Sequence, residues 1–170
     1  ARLAATDAAN TAVLLVDLDR FNGVNESVGH AHADDVLRVV AGRLLGAAGE
    51  HAQVAHLAGD EFVVVARVAG EDEAAALAER IRIAIGYPIE GTDYRLLITA
   101  TIGVSIAPTH GREPIDLLRR AQAAMERGKG LGRDCVSPFR TDQVREIEDR
   151  QVLGGALRAA ARLGELQLHY

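Results

Sequence analysis

Cysteine, tryptophan, aromatic residues in general and lysine are all scarce in this chain of 170 residues, and each shortage excludes something. The lone cysteine, Cys135, cannot close an internal disulfide, so a disulfide-stapled secreted scaffold is ruled out. Aromatic residues amount to 4%, too few for the stacking platforms with which many proteins hold single-stranded nucleic acid. There is no block of basic residues, and the net charge is −5, which argues against sequence-independent binding of DNA or RNA. The longest apolar runs, such as Ala12–Val16, are far too short to cross a bilayer, and nothing resembles a signal peptide. The expected location is the cytoplasm, alone or within a larger membrane-anchored protein, with no membrane contact by this segment. Of the 19 basic residues only Lys129 is a lysine. In a chain that otherwise uses arginine, this hints at a position that wants an ammonium, although a surface accident is the plainer explanation.

What is present describes an ordinary globular protein. Hydrophobic residues make up 48% of a chain long enough to bury a core. Ala12–Val16 reads as a strand buried on both faces, ending in Asp17-Leu18-Asp19 and a loop with Asn22, Gly23 and Asn25. A helix is predicted over about His32 to Ala47, with Val36, Val40 and Leu44 at i+4 spacing and Leu37 beside them. Two strands, Val54 to Leu57 and Glu61 to Val68, are joined by Ala58-Gly59-Asp60, short enough to demand a tight hairpin. A helix over Glu71 to Ile85 follows, with Leu77, Ile81 and Ile85 on one stripe. Strands are expected over Tyr94 to Thr99 and Thr101 to Ala107. A helix over Glu113 to Arg127 would then bury Ile115, Leu118, Ala121 and Met125, end at Gly128 and Gly130, and give way to a short strand at Asp134 to Val136. Paired strands between helices predict an α+β fold with a mixed, mainly antiparallel central sheet flanked by helices. After Ser137-Pro138 the composition changes. The expected organisation is a domain over 1–138, a charged linker helix over 139–152, and the start of a second domain over 153–170.

The residues able to carry chemistry gather at predicted element ends. Asp17 closes a buried strand, and Asp60-Glu61 sits at a hairpin tip. If the hairpin lies beside the first strand, these carboxylates converge, and hard oxygen donors of that kind suit Mg²⁺. The plainer alternative is that acidic residues at strand ends are simply solvated. The loop after Asp17 lacks the GxxxxGK[ST] run of a Walker A loop, yet offers backbone N–H groups ahead of a helix, where phosphate oxygens bind readily. Asn25 and Asp34 could read a guanine edge, amide to O6 or N7 and carboxylate to N1–H and the amine, or could cap a helix or turn. Lys129 and Arg133, among Gly128, Gly130 and Gly132, fit polyphosphate binding, or equally a basic turn complementing a helix C-terminus. His30-Ala31-His32 has no cysteine or further histidine at zinc-ligand spacing, so a zinc site is not supported.

Together these pieces resemble one family. Asp17-Leu18-Asp19-Arg20-Phe21-Asn22-Gly23-Val24-Asn25-Glu26, then Gly29-His30 and Asp34, is similar to the GGDEF-family stretch D-[LI]-D-x-F-K-x-[IV]-N-D…G-H-x-x-G-D. Ala58-Gly59-Asp60-Glu61-Phe62 resembles the motif that names the family, and Thr101-Ile102-Gly103-Val104-Ser105 its T-[IV]-G-[IV]-[SA] strand. Ala121 to Asp134 matches A-D-x-A-[LM]-Y-x-A-K-x-x-G-R-N at Lys129, Gly132 and Arg133. The resemblance covers about residues 11–138. It implies a nucleotide-cyclase palm fold of ferredoxin-like type and condensation of two GTP into cyclic di-GMP with Mg²⁺ or Mn²⁺, by two protomers meeting face to face as a transient homodimer. By position it implies Asp17, the Leu18 carbonyl and Asp60 as metal ligands and Asp60 and Glu61 as the catalytic carboxylates. Asn25 and Asp34 would hold guanine, Lys129 and Arg133 phosphates, and Phe21, Asn22 and Gly59 would line the substrate site. The end of the chain, Leu153 to Tyr170, looks like the opening helix and first strand of an EAL phosphodiesterase domain, implying a GGDEF–EAL composite.

Three positions and one motif depart from the family pattern. Asn22 replaces a usual lysine, His56 a frequent arginine and Ala58 the first glycine of the motif. If that site needs a positive φ, alanine there costs about 1–2 kcal/mol or shifts the turn. The inhibitory RxxD motif would align at Gly49-Glu50-His51-Ala52 and is absent, so product feedback there is not expected. These departures leave open an alternative: a catalytically weak or inactive GTP-binding module that regulates an attached phosphodiesterase.

Overall fold

A computed structural model of the chain describes residues 10–28, 30–91 and 94–140, the side chains of 25–28, 30 and 31 excepted. The linker and second-domain expectations for 141–170 lie outside the described residues. The element order is β1 (Asn10–Leu18), α1 (Phe21–Val28), α2 (His30–Ala48), β2 (Ala52–Ala58), β3 (Glu61–Val68), α3 (Glu71–Ile85), β4 (Ile89–Glu90), β5 (Arg95–Leu96), β6 (Ala100–Ala107), α4 (Pro114–Gly130) and β7 (Val136–Pro138).

The five-stranded sheet runs β2-β3-β1-β6-β7. Every pairing is antiparallel except β6 with β7. This is the mixed, mainly antiparallel sheet expected from the sequence. β1 is its centre, and its run Ala12–Leu18 is buried throughout because both faces are covered. Ala12, Leu14, Val16 and Leu18 meet the α2 and α3 stripes, while Val13 and Leu15 meet Leu117, Ala121 and Met125 of α4. Two-residue alternation thus splits one apolar run between two cores.

The predicted stripes of α2 and α3 are the ones buried. Val36, Val40, Leu44, Ile81 and Ile85 are fully enclosed, each worth about 1.5–3 kcal/mol. α4 differs in phase from expectation. Ile115 is 57% exposed, and Leu117 takes the inner place, in a stripe that continues through Ala121, Ala124, Met125 and Gly128. The reason is close approach to β6: a Cβ on Gly103 would lie 1.9 Å from the Ala121 carbonyl oxygen, and one on Gly128 would lie 2.8 Å from Thr101 Cγ2. Only the small-residue face of α4 fits against the sheet.

Three further expectations are corrected. The segment after Asp17 is not an extended loop: a two-residue turn leads directly into α1, whose Val24 is buried. α4 does not stop at Arg127 but runs through Gly130, so Lys129 belongs to its last turn. The expected strand Tyr94–Thr99 keeps only Arg95 and Leu96, paired with β4 in a separate two-stranded ribbon. Residues 97–99 leave the strand, with Thr99 engaged by Asp19 through both its carbonyl and its hydroxyl.

Candidate functional site

The segments that carry Asp17, Asp60 and Glu61 lie side by side at one end of the sheet. Asp17, at the end of β1, stands opposite Glu61 of β3 and Thr101 of β6. The Leu18 N–H donates to the Asp60 carbonyl at 3.1 Å, tying the hairpin tip to the strand end. Asp17 is buried, whereas Asp60 and Glu61 are half-buried. Burial, together with the neighbouring Asp60 and Glu61 charges, raises the Asp17 pKa above the ordinary carboxylate range, although Lys129 pulls the other way.

Lys129 is the cation at that carboxylate. Its Nζ donates to Asp17 Oδ2 at 2.7 Å, across 112 residues of sequence. Burial works against the ammonium, but Asp17, Glu126 and Asp60 together hold its pKa above the ordinary value. In this structure the partner of the chain's single lysine is a carboxylate.

The hairpin owes its shape to Gly59, not to Ala58. Gly59 has φ +57, while among the described non-glycine residues positive φ occurs only at Arg20, Arg133 and Asp134. A positive φ at the first loop residue alone is the pattern of a type II′ hairpin turn, whose twist matches the strands. Ala58 ends β2 opposite Glu61 and carries no such strain. The register shifts between His56 and Ala58, a bulge at Leu57. His56 folds over the turn: its Nε2 lies 2.9 Å from the Gly59 carbonyl oxygen, and its ring stacks on Phe62 at 4.7 Å.

The first turn of α1 holds the next candidates. Phe21 is a core side chain, 4% exposed, so anything it offers a ligand comes from its backbone. Asn22 is exposed beside it, at a helix N-terminus whose first N–H groups lack helical partners. Asp34 is exposed on α2. Asn25 lies in α1, with its side chain outside those described. Arg133 is exposed in the turn after α4, at φ +67. With Asp19, Arg20, Gly23, Thr99 and Asp134 it borders a cavity of about 300 Å³.

Asp19 was not singled out from the sequence, yet it organises this edge. Its carboxylate accepts from the Thr99 and Thr101 hydroxyls, each at 2.7 Å, and from the Asp134 N–H at 3.0 Å. The D-x-D spacing was the available signal. The partners, about 80 and 115 residues away, gave none.

Two carboxylates, Asp17 and Asp60, beside a strand-end carbonyl are hard donors that fit a divalent cation still carrying water and phosphate ligands. The ammonium already at Asp17 is consistent with that demand for positive charge. Among the described residues no three His, Cys, Asp or Glu side chains gather closely enough to form a metal cluster of their own.

Comparison with known proteins agrees with the sequence motifs. The family described as "Diguanylate cyclase, GGDEF domain" matches residues 1–135. The chain is 36% identical over 160 residues to cyclic di-GMP phosphodiesterase NbdA of Pseudomonas aeruginosa, covering 94% of this chain and 20% of that protein. It is 33% identical over 159 residues to the bifunctional diguanylate cyclase/cyclic di-GMP phosphodiesterase MucR of the same organism, covering 94% and 23%. The chain therefore spans only about a fifth of these relatives. Among solved structures, the GGDEF domain of YfiN (TpbB) from Pseudomonas aeruginosa superposes with a TM-score of 0.78 at 33% identity, covering 82% of this chain and 83% of that one. The active GGEEF domain of a diguanylate cyclase from Vibrio cholerae gives 0.71 at 25% identity, covering 78% and 85%.

Proposed function

The chain belongs to the GGDEF family, and from that premise we propose that it binds GTP with Mg²⁺ or Mn²⁺ and condenses two GTP into cyclic di-GMP. The observation that carries the reading is the meeting of Asp17, Asp60 and Glu61 at one sheet edge, with Lys129 at hand.

Asp17, the Leu18 carbonyl and Asp60 would hold the metal. When bound, it draws charge from the α-phosphate and lowers the pKa of the attacking ribose 3′-hydroxyl. The chain's own residues supply the rest. Glu61, opposite Asp17, is the carboxylate we assign to take the 3′-hydroxyl proton as the new O–P bond forms and pyrophosphate leaves. Lys129 and Arg133 hold phosphates, as Lys129 exchanges its carboxylate partner for a phosphate oxygen. Asn25 and Asp34 read guanine, the backbone at Phe21 and Asn22 cradles phosphate oxygens, and Gly59 leaves room for the nucleotide. Each protomer holds one GTP, so both ester bonds form only when two protomers meet about a twofold axis.

Incubation of the purified chain with GTP and Mg²⁺ tests this: cyclic di-GMP should form at a rate rising faster than linearly with protein concentration, and Glu61→Gln should abolish it. GTP binding without product, even at high protein concentration, refutes the cyclase reading. It supports instead a regulatory module controlling an attached EAL phosphodiesterase, the reading favoured by the phosphodiesterase named among the relatives. Loss of GTP binding in Asn25→Ala or Asp34→Ala is expected either way; unchanged affinity removes the guanine assignment.

A further inference from the structure

The turn after α4 holds its backbone where few residues go. Gly132, Arg133 and Asp134 follow one another with φ of +126, +67 and +44. For the two that carry side chains, this conformation costs about 1–2 kcal/mol each. Such strain persists only where surrounding contacts over-determine it. The Arg133 N–H closes the helix end on the Gly128 carbonyl at 3.2 Å. Asp134 is gripped at both ends: its N–H donates to Asp19 Oδ2 at 3.0 Å, and its Oδ1 accepts from Arg82 Nη1 at 2.5 Å. Arg82, 24% exposed on α3, is itself fixed by Glu79, which accepts from Nε at 2.9 Å and from Nη2 at 2.7 Å. Asp19 is fixed in turn by Thr99 and Thr101. Neither Arg82 nor Asp19 belongs to the metal, guanine or phosphate groups assigned above, yet both bear on the residue next to Arg133.

We infer that Arg82 and Asp19 are positioning residues that hold the Gly132–Asp134 turn so that Arg133 meets the phosphates of GTP. The inference rests on the phosphate role assigned to Arg133. Its consequence is selective: disturbing the clamp weakens recognition of the triphosphate but not of the guanine ring, which Arg133 does not serve.

The test compares affinities of the purified chain for GTP and for guanosine in five variants. Arg82→Ala is expected to weaken GTP binding about tenfold, the worth of roughly one charge-assisted hydrogen bond, and to leave guanosine binding unchanged. Arg82→Lys, which keeps one bond to Asp134, should recover part of the loss. The double variant Arg82→Ala/Arg133→Ala should bind GTP no more weakly than Arg133→Ala alone, because both act through one contact. Asp19→Asn separates positioning from bulk charge: removing a negative charge near a triphosphate would tighten binding, whereas loss of the clamp loosens it. Equal losses for GTP and guanosine, additive losses in the double variant, or tighter GTP binding by Asp19→Asn overturn the inference while leaving the role of Arg133 intact. Unchanged GTP affinity in Arg133→Ala removes that role, and the inference with it.

Discussion

The hairpin at Ala58–Glu61 and the turn at Leu131–Cys135 both reach the end of β1, and opposite means hold them. The hairpin is made locally. Gly59 takes the one positive φ, and His56 braces its carbonyl from three residues away. The turn is made at a distance: Asp134 depends on Arg82, 52 residues earlier, and on Asp19, 115 residues earlier. Next to it, Lys129 depends on Asp17, 112 residues earlier. A local device survives small shifts of the surrounding layers, whereas a distant one is only as accurate as the packing of α4 on the sheet. Half of the candidate site is therefore written into its own segment, and half is borrowed from the fold.

The largest break in this comparison is expected at Gly103→Ala. Its new methyl would strike the Ala121 carbonyl, so α4 must lift, at a cost of about 3 kcal/mol in denaturant unfolding. The Lys129 and Arg133 contacts should loosen while the hairpin stays formed, as amide exchange would report. Loss of hairpin protection to the same extent would contradict the locality argued for it. Next comes Lys129→Met, expected to lose about 1–2 kcal/mol, because Asp17 is buried while the lysine retains some solvent that moderates the penalty. Asp17→Asn should cost less, since it removes the buried charge and leaves an ammonium that water can reach. If the two variants lose equally, the asymmetry of burial is not what sets the cost.

Gly59→Ala should cost about 1 kcal/mol, purely from backbone strain, since nothing lies within 4 Å of the added methyl. Ala58→Gly should bring no gain, because Ala58 is not strained; a gain in stability would reverse that account. The smallest effect concerns the far end of the sheet, where another local turn follows β6. The His110 Nδ1 accepts the Ile106 N–H at 3.1 Å. Burial lowers the His110 pKa below 6.5, with Arg120 adding to the effect and Glu71 opposing it. The folded state prefers the neutral ring, so its stabilising contribution is present above pH 6.5 and is lost as pH falls through the lowered pKa. Against His110→Asn, which keeps an acceptor without a titration, the native chain should lose more thermal stability between pH 7 and pH 5. Parallel pH profiles would remove His110 from that account.

The sequence carried much of the outline. The stripes of α2 and α3, the fully buried run of β1 and the glycine-containing hairpin were legible because each is periodic or local. The phase of α4 was not. Ile115 looked as apolar as Leu117, and only contact with Gly103 decides which face turns inward. The ribbon at β4 and β5 was hidden for a similar reason, since Thr99 leaves the strand to serve Asp19. At the site, Asp17, Asp60, Glu61 and Lys129 could be picked out by residue type and motif, but their partners could not.

What the sequence determined by itself, then, is the inventory: acidic residues at a strand end and a hairpin tip, a glycine where the turn needs one, a single lysine near a helix end. What the tertiary structure decided is which charge meets which. It gave Lys129 to Asp17, Arg82 to Asp134 and the Asp134 backbone to Asp19. Dihedral preference acts between neighbours in sequence, but a Coulomb contact acts between neighbours in space, and only the packing of α3 and α4 against the sheet makes these residues neighbours.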